Sequence, residues 1–407
     1  MDEPIIYKLP KLLDLKDYNI TTRYFEYLSP PKSSLGFNQH IHKTKNKMND
    51  ISKHRRSYLV VNPYETVIDD EHSIERDVEK FVNEKLLSRA HHKLWEIFMM
   101  FDLFPSSHPI ITAHLAEGPG SFVQATINYR EMYCNNKNDK HYAITLHSPK
   151  KSVKPVDEEY IKAHKNKLEI YKTHKDGDGD LTKLDTINDF LKEITGKCDF
   201  ITADGGFDWK NENMQEQEAF HLILGQMLTA LKAQKKGGSF VLKIFEIMTS
   251  PTLKLLCLLS HIYEDIYIVK PLTSRLSNSE RYIVCIEYIG TSKQTIQDLE
   301  EILTSIKEKH YLANMYSKYS PPQEFTNIII KSNLEISNKQ MYWINKMIEY
   351  VEKGDFYGIE TKNYENKQKE TSKAWLDLYL IDKNKLSDMR KQLMQIRQNI
   401  ISKNITK

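Results

Sequence analysis

The stretch Ile111-Thr-Ala-His-Leu-Ala-Glu-Gly-Pro-Gly-Ser-Phe122 sets an acid, a Gly-Pro-Gly turn and a hydroxyl residue directly after a short apolar run. That order predicts a buried parallel strand, a tight turn and the start of a helix. Gly118 and Gly120 can take backbone angles closed to other residues and let a ligand come close to the main chain. The first turn of the following helix leaves N–H groups without internal partners. An acid beside such a turn suits a neutral or cationic nucleoside, although an ordinary strand-to-helix connection would use the same residues. The spacing lacks the three glycines of G-x-G-x-x-G, which argues against a nicotinamide dinucleotide.

Three further places carry chemistry. Cys198-Asp-Phe-Ile-Thr-Ala-Asp204, followed by Gly205-Gly206, reads as a strand with an acid at its carboxyl end. Ligands and reacting groups gather at such ends in open α/β sheets. In Ser239-Phe-Val-Leu-Lys-Ile-Phe245, Lys243 sits among apolar neighbours. A buried ammonium costs several kcal/mol unless paired, so an acid is expected beside it. Ser274, Arg275, Asn278, Ser279 and Glu280 form a polar loop between two further strands. The acidic run Asp176-Gly-Asp-Gly-Asp-Leu-Thr182 is not a calcium loop, because Leu181 and Ile187 stand where that loop needs Gly and Glu. It reads as a turn, either solvated or with one acid accepting from an adenine amino group. His40, His42 and His54 lack Cys partners or helical spacing with acids, and the four cysteines show no ligand spacing, so no metal site is expected.

The elements that must hold these residues alternate. One or two helices are expected over 76–101, single helices over 214–234 and 251–263, and strands over 111–117, 141–147, 167–172, 198–204, 239–245, 265–270 and 281–288. The pattern predicts a parallel α/β sheet. Gly237-Gly238 is read as the end of the 214–234 helix. Residues 1–75 form a basic extension broken at Pro30-Pro31 and Ser33-Ser34, 76–292 the α/β domain, and 293–407 a mostly helical region. From Lys32 to Arg56 there are seven Lys or Arg (Lys32, Lys43, Lys45, Lys47, Lys53, Arg55, Arg56) against Asp50 alone, either a phosphate-contacting strip or a solvated arm. Net charge is only +3, so any nucleic-acid surface must be local. With 40% hydrophobic residues and a mean hydropathy of -0.57, the composition is that of a globular protein, and no run is long enough to span a bilayer. Cys198, Cys257 and Cys285 lie in apolar runs and read as buried free thiols of a reducing compartment.

In the C-terminal region helices are expected over 293–309, 335–353 and 375–401. Leu386, Met389, Leu393, Ile396 and Ile400 make a narrow apolar seam, for a partner helix or for the chain's own domain. Tyr342, Trp343, Phe356, Tyr357 and Tyr364 either stack on bases or fill a core.

Five blocks in order carry a resemblance: Ser88-Arg-Ala-His-His-Lys-Leu-Trp-Glu-Ile97, Glu117-Gly-Pro-Gly-Ser-Phe122, Asp204-Gly-Gly, Gly237-Gly-Ser-Phe-Val-Leu-Lys243, and Lys270-Pro-Leu-Thr-Ser-Arg-Leu-Ser-Asn-Ser-Glu-Arg-Tyr282. Together they resemble the FtsJ-like ribose 2'-O-methyltransferases over about residues 80–290. Thr145-Leu146, Gly177-Asp-Gly-Asp-Leu-Thr182 and the Lys270–Cys285 block resemble the eukaryotic and viral mRNA cap branch. The resemblance implies a Rossmann-like class I methyltransferase fold, a seven-stranded mostly parallel sheet flanked by helices, with helical extensions at both ends. It also implies S-adenosylmethionine as cofactor and a Lys-Asp-Lys-Glu tetrad at Lys93, Asp204, Lys243 and Glu280. The cofactor residues it implies are Glu117, Gly118, Pro119, Gly120, Ser121, Phe122, Asp180 and Asp204. Leu146-His147-Ser148 departs from the many members that carry a ribose-binding acid there.

Methyl transfer to a 2'-hydroxyl needs an oxygen aligned behind the methyl carbon and a base to take its proton. On the resemblance Lys243 is the base, Lys93 steadies the substrate oxygen, and Asp204 and Glu280 orient the lysines. Arg275, Asn278 and Ser279 are expected to touch the substrate strand or to cap their own loop. The implied substrate is the 5' end of capped mRNA, with a capping-complex protein as a further partner through the C-terminal helices and no membrane. A ribosomal or other RNA 2'-O-methyltransferase, and a non-catalytic RNA-binding subunit of the same fold, stay open as alternatives.

Overall fold

A computed structural model describes residues 3–15, 21–25, 37–65, 73–104, 108–134, 138–148, 153–171, 178–206, 210–306 and 311–406. Lys32, Pro30-Pro31, Ser33-Ser34, Lys172, Asp176, Gly177 and Lys407 lie outside them. The strands among the described residues are β1 (Ile5–Leu9), β2 (Arg23–Phe25), β3 (Ile111–Leu115), β4 (Lys140–Ile144), β5 (Leu168–Ile170), β6 (Cys198–Ala203), β7 (Gln234–Ile244), β8 (Tyr263–Lys270), β9 (Arg281–Tyr288) and β10 (Tyr311–Asn314). Eight form one sheet in the order β1-β8-β9-β7-β6-β3-β4-β5, and β2 pairs with β10 separately. The run β5-β4-β3-β6-β7 is parallel throughout. β9 runs against both β7 and β8, so β8 points with the parallel set, and β1 runs against β8. This is the expected Rossmann-like methyltransferase architecture with one addition: the eighth strand comes from residues read as N-terminal extension. Its Ile-Ile-Tyr-Lys-Leu is too short to announce itself against the polar residues around it.

The sheet is covered on both faces, and strand alternation decides which side chain meets which layer. Phe240, Leu242 and Ile244 enter a core with the helices Gln215–Ala233 and Ser250–Ile262. Phe200, Val241, Tyr282 and Val284 face the opposite core, with the helices Ala90–Met100, Ser121–Cys134, Ile359–Tyr379 and Leu386–Thr406. Continuing in steps of two along the second face leads from Phe200 to Asp204, from Val241 to Lys243 and from Tyr282 back to Glu280. Because β9 is antiparallel, its first residues lie at the same edge as the carboxyl ends of β6 and β7. One alternation therefore brings three of the predicted residues to one edge, on the face of the helix that carries Lys93.

Several expected boundaries move; the helix expected over 335–353, for one, begins at Gln323. The helix over 215–233 stops at Ala233, and Gly237-Gly238 lie inside β7, not at the helix end. There β7 shifts register against β6, Gly237 has φ 80, and a Cβ on Gly238 would meet Asp199 O at 2.8 Å. The glycines mark a bulge under close backbone approach. The helix expected over 375–401 is two helices, Ile359–Tyr379 and Leu386–Thr406. Between them the carbonyls of Tyr379 and Ile381 accept from Trp95 Nε1 at 2.8 Å and Tyr133 OH at 2.7 Å, buried donors that only the tertiary fold supplies. The predicted seam is covered by the chain itself: Leu393 and Ile400 are buried in the core with Trp95 and Phe98, and Leu386, Met389 and Ile396 pack against it. A partner protein would therefore have to use another surface of this region. Of the aromatics, Phe356 and Tyr364 pack with Tyr350 and Met347, while Tyr342 and Tyr357 are exposed. No helix among the described residues is long and apolar enough to cross a membrane.

Candidate active site

The order of the chain reverses between β3 and β6, where open α/β sheets bind their ligands. A cleft of about 590 Å³ opens there, lined by Glu117 beyond β3, Thr145 beyond β4, Asp204 beyond β6 and Lys243 near the end of β7. Gly118, Pro119, Ser121 and Phe122 line it from the predicted turn, and Asp180 from the acidic one; Gly120 lies in the turn with φ 114. Close backbone contact shapes the walls. A Cβ on Gly118 would lie 1.8 Å from Lys154 O, and one on Gly179 2.0 Å from Thr145 O. Leu146 and Ser148 line the cleft where many relatives are expected to place an acid.

Glu117 does two things. Its Oε1 accepts from Phe122 N at 2.7 Å and Val123 N at 2.9 Å, capping the helix Ser121–Cys134 at its positive end. Its Oε2 is buried with no hydrogen-bond partner. Burial pushes the carboxyl up to about 8, with Asp204 adding to the rise and the two N–H groups and Lys243 opposing it. A buried carboxyl with one oxygen unmet, on a cleft of this size, fits a cationic nucleoside better than an anionic one. Asp180 is more committed: its Oδ1 accepts from Thr182 N at 2.9 Å and Thr182 Oγ1 at 2.8 Å.

The four candidate catalytic residues come together as two ion pairs. Lys93 Nζ lies 2.7 Å from Glu280 Oε1, and Lys243 Nζ lies 3.1 Å from Asp204 Oδ1. Lys243 also donates to Asp204 O at 2.7 Å. Tyr282 donates to Asp204 Oδ1 at 3.2 Å, and Ser274 donates to Glu280 Oε1 at 2.9 Å. Burial alone would raise the Glu280 carboxyl, but Lys93, Lys243 and Lys270 outweigh it and hold Glu280 well below the usual range. The partner expected for the apolar-flanked Lys243 is thus Asp204.

Arg275, Asn278 and Ser279 do not line the cleft. Arg275 is paired with Glu65 through Nε and Nη2, both at 3.0 Å, and Glu65 also holds Arg89 Nη1 at 2.6 Å. Asn278 Oδ1 accepts from Lys270 at 2.9 Å, and Ser279 donates to Gln215 Oε1 at 3.0 Å. Asn278 thus ties its own loop to the end of β8, while Arg275 and Ser279 tie it to Glu65 and Gln215, far away in sequence. Lys45 is not part of an outward basic strip either: it is buried 3.2 Å from Glu246, leaving Lys43, Lys47, Lys53 and Arg55 exposed.

Sequence reasoning missed Glu96, Lys270 and Tyr282. Glu96 accepts from Leu272 N at 2.7 Å and Thr273 N at 2.8 Å. The signal was available for Glu96 and Lys270, since each is a charge inside an apolar run, as Lys243 is. Tyr282 gave none, because a strand tyrosine is ordinary until its partner is known.

Residues 86–288 match the family described as FtsJ-like methyltransferase. The chain carries an FtsJ-like methyltransferase domain. An uncharacterized protein of Acanthamoeba polyphaga mimivirus is 28% identical over 372 residues, 87% of this chain and 46% of that protein. The mouse cap-specific mRNA (nucleoside-2'-O-)-methyltransferase 1 is 30% identical over 328 residues, 72% of this chain and 37% of the mouse protein. The Trypanosoma brucei protein of the same name is 43% identical over 129 residues, 31% of this chain and 35% of its own length. The chain thus spans less than half the length of these relatives. The FtsJ-like domain spans β3 to β9, so β1 and the helices beyond residue 288 complete the sheet and its cover from outside the matched region.

Proposed function

We propose that this chain is an S-adenosylmethionine-dependent RNA methyltransferase that modifies the ribose 2'-oxygen of the first transcribed nucleotide or nucleotides of capped mRNA. The observation that carries the reading is the meeting of two lysine–carboxylate pairs at one edge of the sheet, one of them opening onto the cleft. The cap-specific activity for which the mouse and trypanosome relatives are named supports the substrate class.

When bound, S-adenosylmethionine supplies a methyl carbon activated by its sulfonium. Glu117 Oε2, the turn 118–122, Asp180 and Asp204 are the residues that would hold it. Lys243 Nζ takes the proton from the ribose 2'-hydroxyl as the free amine, its own extra proton having first left to solvent, because of the two lysines it is the one that lines the cleft. Asp204 holds Lys243 through its carboxylate and its carbonyl and so sets the direction of approach. Lys93, steadied by Glu280 at the same edge of the sheet, adds positive charge that supports the developing negative charge on the 2'-oxygen. Positioning of this kind contributes several kcal/mol to lowering the barrier, on the order of the effect of well-oriented reactants. Lys43 and Lys47, exposed on the helix that Lys45 ties to Glu246, offer phosphate contacts to the RNA strand.

The test is methyl transfer from labelled cofactor to short RNAs of one sequence, capped and uncapped. Label on the first or second ribose of the capped RNA alone is the expected result. Label independent of the cap moves the assignment to another RNA, and tight RNA binding without label makes the chain a binding subunit.

A further inference from the structure

Lys270 ends β8, has 2% of its surface exposed, and does not line the cleft. Its ammonium reaches four acceptors, all in the turn that leads into β9: Asn278 O at 3.0 Å, Asn278 Oδ1 at 2.9 Å, Glu280 O at 2.8 Å and Ser274 Oγ at 3.3 Å. Because Ser274 accepts from Lys270, its own hydrogen is directed to Glu280 Oε1, the same oxygen that Lys93 approaches from the other side at 2.7 Å. The other end of the turn is held by an opposite charge. Glu96, one helical turn beyond Lys93, accepts from Leu272 N, Thr273 N and Thr273 Oγ1. The helix that supplies Lys93 thus anchors the start of the turn, and the end of β8 anchors its finish.

A buried ammonium is costly, and an uncharged side chain of the same length would fill the same space at lower cost. What packing cannot supply is three N–H donors converging on Ser274, Asn278 and the Glu280 carbonyl, with a positive charge behind a carboxylate. We propose that Lys270 is a positioning residue of the methyl-transfer site: it fixes the Ser274–Glu280 turn so that Glu280 holds Lys93 in place. This rests on the proposed function, which makes Lys93 and Glu280 part of the reacting group. Lys270 itself touches neither cleft nor substrate. Of the cations acting on Glu280 and Lys270, Lys243 is paired with Asp204 and Lys339 with Glu335, and Arg281 feels Glu246 and Glu216, which leaves Glu280 as the acid facing Lys93 and Lys270.

The experiment compares wild type, Lys270→Met, Ser274→Ala, Glu280→Gln and the Lys270→Met/Glu280→Gln double variant on capped RNA, together with amide hydrogen exchange. Lys270→Met is expected to lower kcat about 100-fold, the cost of a misplacement on the order of 1 Å, with KM for the cofactor changed less than about 3-fold. Ser274→Ala removes one hydroxyl and should lower kcat about 10-fold with KM unchanged; it carries the test if Lys270→Met does not fold. In the Glu280→Gln background, Lys270→Met should cost little more, because both act through one carboxylate. Exchange at residues 272–280 should rise in Lys270→Met and stay slow in the helix over 90–100. A folded Lys270→Met or Ser274→Ala with wild-type kcat overturns the proposal, as does an equal loss with and without Glu280, which marks a general structural role. A wild type that methylates no RNA overturns the proposed function instead, and exchange then decides the clamp alone: an unchanged turn in Lys270→Met refutes it.

Discussion

The two lysine–carboxylate pairs share an edge of the sheet and are built in different ways. In the Lys93–Glu280 pair one carboxylate oxygen takes both the ammonium and the Ser274 hydroxyl, with Lys270 behind, and neither side chain lines the cleft. In the Lys243–Asp204 pair the ammonium divides itself between a carboxylate and a main-chain carbonyl, and both side chains line the cleft. The first pair is enclosed by cations that keep its acid ionised; the second stands where a substrate oxygen can reach it. Two pairs of the same composition are thus about equally buried, and access to the cleft and the groups behind each acid distinguish them.

The largest effect is expected from breaking the pair that lines the cleft. Lys243→Ala should lower turnover by about 1000-fold, the loss of a general base, while cofactor affinity measured by calorimetry stays within a few fold. Retained turnover would end the assignment of the base. Breaking the pair off the cleft with Glu280→Gln should lower kcat about 100-fold and also change acid stability. The Glu280 carboxyl sits below its ordinary value of 4.5 in the folded chain, so its ionised form favours folding above that pH, and this gain is lost as the pH falls below it. The difference in unfolding free energy between wild type and Glu280→Gln should therefore shrink on acidification; a constant difference would show that the cations around Glu280 do not act on it.

A smaller effect is expected at the cofactor end. Glu117→Gln should weaken S-adenosylmethionine binding about 10-fold. The Glu117 carboxyl is raised from 4.5 to about 8, so its protonated form favours the unliganded fold below 4.5 and that advantage is lost as the pH rises toward 8. Binding of a cation there should release a proton, so affinity should climb over the same interval in wild type and stay flat in Glu117→Gln. Calorimetry in buffers of different ionisation enthalpy counts that proton. The smallest effect belongs to Tyr282→Phe, which removes the hydroxyl on Asp204 and should cost about 3-fold in kcat with stability nearly unchanged. A larger loss there than in Ser274→Ala would reverse the order of the two pairs in dependence on their backing.

The cleft was legible because its parts are local. Glu117, Gly118 and Gly120 lie within one turn, and a strand followed by such a turn is a short-range pattern. The apolar neighbours of Lys243 pointed to an acid but not to which one, since the pairing depends on β6 and β7 being adjacent. Lys93 carried no sign of chemistry in its own surroundings and entered through resemblance alone. The partners of Arg275 and Asn278 were not legible, because Glu65 and Lys270 are distant in sequence or hidden in a strand pattern. The same holds for β1 and the C-terminal seam, whose apolar residues match surfaces of the domain that no local window displays.

By itself the sequence determined the α/β class, the strand-turn-helix at residues 111–122, and the requirement that Lys243 have an acid partner, since each follows from alternation, glycine and the cost of a buried charge. Only the tertiary structure decided which acid meets which lysine, which pair faces the cleft, and that Lys270 and Glu96 hold the turn between them. Those outcomes depend on strand order and on the antiparallel run of β9, and contacts between side chains scores of residues apart leave no periodicity for a sequence to display.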